Sequence, residues 1–181
     1  MSPPFRKVKS TPRFAGSLFS VETVEYEGPA GDRFERDVVH HPGAVVVVPI
    51  TAEGKVIMVR QFRTAVGSEL LEVPAGKRDV QGEPTETTAA RELAEEVGRR
   101  AGRLELLARF YNSPGFTDEL THLYLARDLE VVPEDRQGVE ELAMTMEEVP
   151  LDDLPRLIQS GQVVDAKSII GLALARQRLS G

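Results

Sequence analysis

The chain has no cysteine, which removes disulfides, thiolate catalysis and cysteine-ligated zinc from consideration. Long apolar runs are missing too. The longest, Ala44 to Ile50, has seven residues, against the roughly 20 that a membrane-spanning helix needs. The opening stretch MSPPFRKVKSTPRF is basic but has no apolar segment to make a secretory signal, so a cytoplasmic protein is expected. Positive charge is in deficit, with 22 Lys and Arg against 29 Asp and Glu, a net charge of -7 and a pI of about 5.1. No basic stripe of the kind a nucleic-acid surface requires is present, so neither nucleic acid nor membrane is an expected partner. A nucleotide substrate stays open, because a metal can neutralise phosphates locally. The excess of Arg (17) over Lys (5) reads as genome composition.

What is present is acid, concentrated in Arg91-Glu92-Leu93-Ala94-Glu95-Glu96-Val97-Gly98. On a helix, at about 100° per residue, Glu92, Glu95 and Glu96 fall within one narrow arc. Leu93, Val97, Ala90 and Ala94 are expected on the opposite arc, facing a core. Like charges at these spacings destabilise a helix by a few tenths of a kcal/mol per pair, and no Lys dilutes them. Three carboxylates on one side suit a hard divalent cation shared with substrate phosphates. Gly98 is placed to close the helix.

At 181 residues the chain is long enough for one well-buried domain. Residues 1 to 13, with Pro3, Pro4 and Pro12, read as a loose arm. Leu18–Tyr26 and Arg33–Val39 flank a Gly-Pro-Ala-Gly turn and read as a hairpin, the core of a small antiparallel sheet. His40 and His41 could bind metal, but no nearby carboxylate has ligand spacing, so a strand-end or substrate-edge role is expected. Ala44–Ile50 is apolar on both faces, the pattern of a central strand. Lys55–Phe62 returns as a strand, and Leu70–Gly76 is a further strand running into the loop before the acidic helix. Leu104–Tyr111 and Leu120–Ala126 are strands around a polar loop at 112–119. Residues 127 to 140 are charged and turn-rich, and Glu141–Val149 could form a short strand. Pro150 opens a helix through Ile158, and Ala166–Leu179 has the spacing of a final amphipathic helix. The sum is a mixed sheet with helices on its faces.

Gly76, Glu83 and, after seven intervening residues, the R-E-L-x-E-E-x-G run from Arg91 resemble the Nudix box, G-x5-E-x7-R-E-U-x-E-E-x-G-U with U apolar. Two positions depart from it. Six residues separate Gly76 from Glu83, the extra one lying in the loop, and the last apolar position is Arg99, past the helix end. The resemblance implies an α/β protein, the Nudix α/β/α sandwich with a mixed sheet, preceded by a small N-terminal antiparallel sheet. Residues 1–42 would be a flap used for dimerisation and 43–181 the hydrolase domain.

Pro114, standing 16 residues after Gly98, resembles the marker of ADP-ribose pyrophosphatases. The L-E-V-P-A-G (71–76), the R-Q-F-R (60–63), the two-stranded flap and the inserted loop residue also look like that subfamily. The resemblance implies hydrolysis of ADP-ribose, and of other ADP-sugars, to AMP and ribose 5-phosphate with Mg²⁺ or Mn²⁺, two or more ions per site, in a homodimer. A GDP-sugar, dinucleoside polyphosphate or coenzyme is the alternative substrate, and a non-catalytic nucleotide-sugar sensor the alternative class.

Residue by residue, the resemblance makes Glu92 and Glu96 the first metal ligands, with Glu95 sharing a further ion and the Ala75 carbonyl completing the set. Arg91 would orient these carboxylates by bidentate pairing, and Glu83 would see metal through water or fix the loop. The general base would come from the acidic loop Gly138-Val-Glu140-Glu141-Leu, with Glu141 in the base position and Glu140 its rival. Arg60 and Arg63, read as sharing one strand face, would hold the pyrophosphate or terminal ribose region, Arg63 before Arg60. Glu72 would accept from the adenine amino group and Phe34 or Phe62 would stack on the base. Glu119, beyond Pro114, would position the distal ribose.

Overall fold

The computed structural model describes residues 4–180, which form two compact units. The first comprises the chain up to Gly43 together with Phe110–Leu120. The second comprises Ala44–Arg109 and the chain from Thr121 onward.

The first unit is built on an antiparallel sheet of three strands, β1 (Arg6–Ala15), β2 (Ser20–Glu27) and β3 (Arg33–His40), in that order. The expected loose arm is therefore a strand from Arg6 onward, and the flap has three strands rather than two; residues 1–3 lie outside the described residues. The sequence of β1 does not alternate cleanly, but β2 gives its polar side chains partners. Arg6 pairs with Glu27 at 3.0 Å, Arg13 donates to Thr23 at 2.8 Å, and Lys7 and Ser10 both reach Glu22. Pro12, which has no N–H to give a ladder, stands at a register shift between Pro12 and Phe14, where a bulge tolerates it.

The second unit holds a four-stranded and a three-stranded sheet. In the first, β4 (Ala44–Pro49) lies between β7 (Ala75–Lys77) and β9 (Leu120–Val131), with β8 (Arg99–Tyr111) outside β9. β4 runs parallel to β9 and antiparallel to β7, so the sheet is mixed. The other sheet places β5 (Lys55–Arg63) between β10 (Thr145–Pro150) and β6 (Ser68–Glu72). Every residue of β4 is buried, and strand alternation sends its side chains to two different helices. Val45 and Val47 join Ala89, Leu93 and Val97 of α1 (Thr85–Val97) in one cluster. On the other face Val48 and Leu123 close on Gly171 of α4 (Ala166–Leu179), where an added Cβ would stand 3.0 Å from each. Helices on both faces make the expected sandwich.

Several boundaries differ from the sequence reading. Leu70–Gly76 is not one strand but the end of β6 and the start of β7, in different sheets. Pro74 cannot donate to a ladder, and the Val73 N–H goes to the Ser168 side chain instead. β8 starts at Arg99 and β9 runs to Val131, each well beyond its apolar stretch. Residues Gly138–Leu142 form a short helix, α2, and the strand that follows begins only at Thr145. The helix opened by Pro150 is a 3-10 turn at Leu151–Asp153 followed by α3 (Leu154–Gln159). Among the described residues no helix is long and apolar enough to cross a membrane.

Candidate active site

α1 carries the acidic cluster, and its termini are simply made. Pro84 precedes the first residue, and Gly98 follows the last in a left-handed conformation (φ 59°, ψ 41°), its N–H returning to the Ala94 carbonyl at 3.0 Å. The core stripe is Ala89, Leu93 and Val97, spaced by four. This corrects the expected arcs. Ala90 is exposed and Ala94 only half-buried, because they lie on the far side of Leu93 from the sheet contact. Glu96, about 60° around the helix from Leu93, borders the core stripe rather than opposing it and is only 4% exposed.

The loop and strand before α1 close over these acids. The Ala75 N–H donates to Glu96 Oε2 at 3.2 Å. Gly76 leaves the space that Glu92 fills, since a Cβ built on it would overlap the Glu92 carboxyl group. Arg91 spreads its guanidinium over four carboxylates instead of making one bidentate pair: Nη1 reaches Glu92 at 2.8 Å and Glu95 at 3.0 Å, and Nη2 reaches Glu83 at 3.5 Å and Asp79 at 3.6 Å. Glu83 also accepts from the Thr88 hydroxyl at 2.8 Å. Among the described residues no three His, Asp or Glu side chains are gathered as a set that could hold a metal; Arg91 draws Glu92 and Glu95 to itself while Glu96 turns to the Ala75 amide.

Burial pushes the Glu92 carboxyl up to about 7, with the charges of Glu95 and Asp79 adding and Arg91 opposing. Glu96 rises to about 8, again chiefly through burial, with Glu92 and Glu141 adding and the Ala75 N–H and Arg63 opposing. An unfolded glutamate titrates near 4.5. Both groups thus favour the folded chain most fully below that value, and the advantage is lost as pH rises through about 7 and 8. In chelator-treated protein the melting temperature is expected to fall by on the order of 10 °C between about pH 5 and pH 8.5. A flat profile in thermal scans over that range would mean that neither carboxyl holds its proton in the folded state.

β5 and β6 supply a second group of charges. Arg63 grips Glu72 with two parallel bonds of 2.7 Å, from Nε and Nη2. Arg60 instead bonds Glu147 on β10 at 2.6 Å. The two arginines are three positions apart, so alternation puts them on opposite faces of β5, not on one. Arg63 is the one within electrostatic reach of Glu96. Glu72, expected to receive an adenine amino group, is 1% exposed and has both oxygens engaged by Arg63. Lys167 approaches it to 3.7 Å and bonds Asp165 at 2.6 Å. The sequence reading missed Lys167, Asp165 and Ser168; the D-x-x-S start of α4, a helix N-cap pattern, was the available signal.

Glu141 comes to this site through Arg136. Arg136 bonds the Glu96 carbonyl at 3.0 Å and the Met144 carbonyl at 2.8 Å, tying the end of α1 to the segment around α2. Glu141 accepts from the Gln137 N–H at 2.6 Å, and its charge is felt by Glu96. Glu140 is exposed. Within the second unit, then, Arg91, Glu92, Glu95, Glu96, Ala75, Arg63, Glu72 and Glu141 belong to one electrostatic neighbourhood, while Arg60 faces away and Phe62 is exposed.

Pro114 and Glu119 belong to the first unit. Pro114 lines a cavity of about 380 Å³ with Tyr26, Arg36, Tyr111 and Phe116. Glu119 Oε1 stands 4.0 Å from His41 Nδ1. Phe34 is covered, stacked on Tyr26 with ring centres 5.6 Å apart and with the Arg36 guanidinium 4.9 Å from its centre. The histidine pair does meet carboxylates, contrary to the local spacing, because the fold brings them from a distance. His40 Nδ1 is 2.6 Å from Asp118 and Nε2 is 3.4 Å from Glu22, and the bond to Asp118 chiefly raises the His40 pKa.

Similarity to known proteins extends over most of the chain. The NUDIX domain model matches residues 39–168. The ADP-ribose pyrophosphatase of Bacillus subtilis (strain 168) is 43% identical over 155 residues, covering 86% of this chain and 83% of that protein. The ADP-ribose pyrophosphatase of Mycobacterium tuberculosis (strain ATCC 25618 / H37Rv) is 38% identical over 168 residues, covering 93% of this chain and 81% of that protein. A crystal structure of an ADP compounds hydrolase superposes with a TM-score of 0.86 at 27% identity, covering 99% of this chain and 96% of that one.

Proposed function

The chain belongs to the Nudix family and is a hydrolase, and we propose that it splits ADP-ribose with water into AMP and ribose 5-phosphate. The observation that carries the reading is the convergence of Glu92 and Glu96 of α1 on the β7 backbone, Glu96 accepting from the Ala75 N–H and Glu92 filling the space that Gly76 leaves. Burial disfavours the ionised form of both carboxyls, a cost that a bound divalent cation relieves. The donor set fits: glutamate oxygens and a backbone carbonyl suit Mg²⁺ or Mn²⁺. Glu92, Glu95, Glu96 and the Ala75 carbonyl would hold two or more ions. The cations would supply neutralisation of the diphosphate oxygens and of the charge on the departing phosphate.

The protein's own groups divide the remaining work. Arg91 keeps Glu92 and Glu95 in place and links them to Glu83 and Asp79. Arg63, anchored by Glu72, keeps its Nη1 group free of that pair and directs positive charge toward the diphosphate. Glu141 takes a proton from the attacking water; the new P–O bond forms as the bridging P–O bond on the other side breaks. Its electrostatic coupling to Glu96 favours it over Glu140. ADP-ribose, rather than another diphosphate, is favoured by the names of the two relatives reported above. The N-terminal unit supports a homodimer: Phe14 and Phe19 lie with ring centres 5.5 Å apart, exposed beside an exposed Leu18 at the turn between β1 and β2. A second copy would cover these rings, and a monomeric mass by light scattering would remove this part of the reading.

The test is AMP release from ADP-ribose with Mg²⁺. Glu141→Gln is expected to lower kcat by about 10²-fold or more, while Glu140→Gln stays within about threefold of the parent. The reverse order would make Glu140 the base. An inert parent would remove ADP-ribose as the substrate and send the search to other nucleoside diphosphate derivatives.

A further inference from the structure

The Glu72–Ala75 segment passes from β6 in one sheet to β7 in the other, and Val73 and Pro74 belong to neither strand. Its polar groups are nevertheless held one after another. The Val73 N–H donates to Ser168 Oγ at 3.0 Å, the Pro74 carbonyl accepts from the Val47 N–H at 2.9 Å, and the Ala75 N–H donates to Glu96 at 3.2 Å. The Ser168 hydroxyl is itself oriented, because it donates to Asp165 Oδ2 at 2.7 Å. That leaves an oxygen lone pair for Val73. Asp165 also accepts from the Ser168 N–H at 2.9 Å, capping α4. Ser168 is 0% and Val73 1% exposed, so no solvent stands ready to replace the hydroxyl.

We infer that the Asp165–Ser168 cap of α4 is a positioning device for the acidic site on α1. It sets the place of Val73 and so of Ala75, whose N–H holds Glu96. The inference rests on the reading of Ala75 and Glu96 as cation ligands. Removing the hydroxyl leaves a buried N–H without an acceptor, at the one residue between the β6 pairing of Glu72 and the β4 contacts of Pro74 and Ala75. The chain then moves toward another partner and carries Ala75 with it, and a displacement of about 1 Å at a site's supporting shell is enough to impair it. Asp165 and Ser168 touch no substrate in this account; they act through the backbone.

Two measurements on the full chain test this, and neither needs turnover. The first is Mn²⁺ binding followed by electron paramagnetic resonance, and the second is amide exchange at Val73 and Ala75 in chelator-treated protein. Ser168→Ala is expected to weaken Mn²⁺ binding by about 10-fold and to speed exchange at both amides, with the β4 amides unchanged. Leu172→Ala, which removes a buried α4 side chain one turn beyond Ser168 and leaves the Val73–Ser168 bond in place, is the control. It should lower the melting temperature at least as much and leave Mn²⁺ affinity within about twofold. If Ser168→Ala does not fold, Asp165→Asn frees the hydroxyl more gently and should move both readouts in the same direction. Unchanged Mn²⁺ affinity in Ser168→Ala, or an equal loss in Leu172→Ala, overturns the positioning role. A parent that binds no Mn²⁺ also overturns it, by removing the cation reading beneath it, and the exchange data then report only a structural cap.

Discussion

Glu96→Gln is expected to lower AMP release from ADP-ribose by at least about 10²-fold and, in the same protein freed of metal, to raise stability above pH 8. The two effects have one cause. Glu96 is almost fully buried beside Glu92 and Glu141, which pushes its carboxyl to about 8. Ionising it costs the metal-free fold, and glutamine escapes that cost while still accepting from the Ala75 N–H. The same ionised oxygens are what the proposed cations require, and the amide cannot supply them. Loss of a group that merely supports a ligand already costs about 10- to 100-fold, so loss of a ligand should reach at least the upper end. At pH 5 the stability advantage of the glutamine variant should disappear, since the native carboxyl is then protonated as well. Thermal scans with chelator at pH 5 and pH 8.5, beside AMP assays with Mg²⁺, make the comparison. A glutamine variant less stable than the parent at pH 8.5 contradicts the buried-charge account. One that keeps more than a tenth of the activity removes Glu96 from the ligand set.

The second large effect concerns Arg63 and Glu72. Glu72 is buried with both oxygens bonded to Arg63. Arg63→Ala leaves that carboxylate with Lys167 at 3.7 Å as its remaining cation, and is expected to cost about 3 kcal/mol or more. Lysine at position 63 restores a charge but not the planar fork, and should recover only part of the loss. Replacing both partners, Arg63→Met with Glu72→Leu, removes the stranded charge and should regain most of the stability while leaving activity low, because the proposed diphosphate contact is gone. Urea unfolding of the parent, Arg63→Met, Glu72→Leu and the double variant completes a double-mutant cycle. If Arg63→Ala costs under about 1 kcal/mol, the pair behaves like a surface ion pair and is not what holds β5 to β6.

Much of the candidate site was legible because the chemistry lies close in sequence. The spacing from Glu83 through Gly98 placed four acids on one loop and helix, and the left-handed Gly98 is where the pattern put the helix end. The identification of the family followed from those residues and is matched by residues 39–168. The long-range pairs were not legible. The split of Leu70–Gly76 into two sheets depends on Ser168, 95 residues from Val73. The partners of His40 come from Asp118 and Glu22, where local spacing had offered no carboxylate. Strand β1 was hidden because its polar side chains are satisfied by β2 rather than by any pattern of their own.

Sequence alone settled the elements whose cause is local: the buried β4, the acidic α1, the final helix Ala166–Leu179 and the absence of any thiol chemistry. Periodicity and capping act within a few residues, so one chain carries all the information they need. Tertiary structure alone decided which face of α1 is buried, that Glu96 lies at the edge of the core, and that Arg63 and Arg60 turn to opposite sides. It also decided which acid of the 140–141 pair is coupled to α1. Each of these depends on what packs from elsewhere in the chain, and desolvation by distant residues is what turns an ordinary glutamate into one that holds its proton near neutral pH.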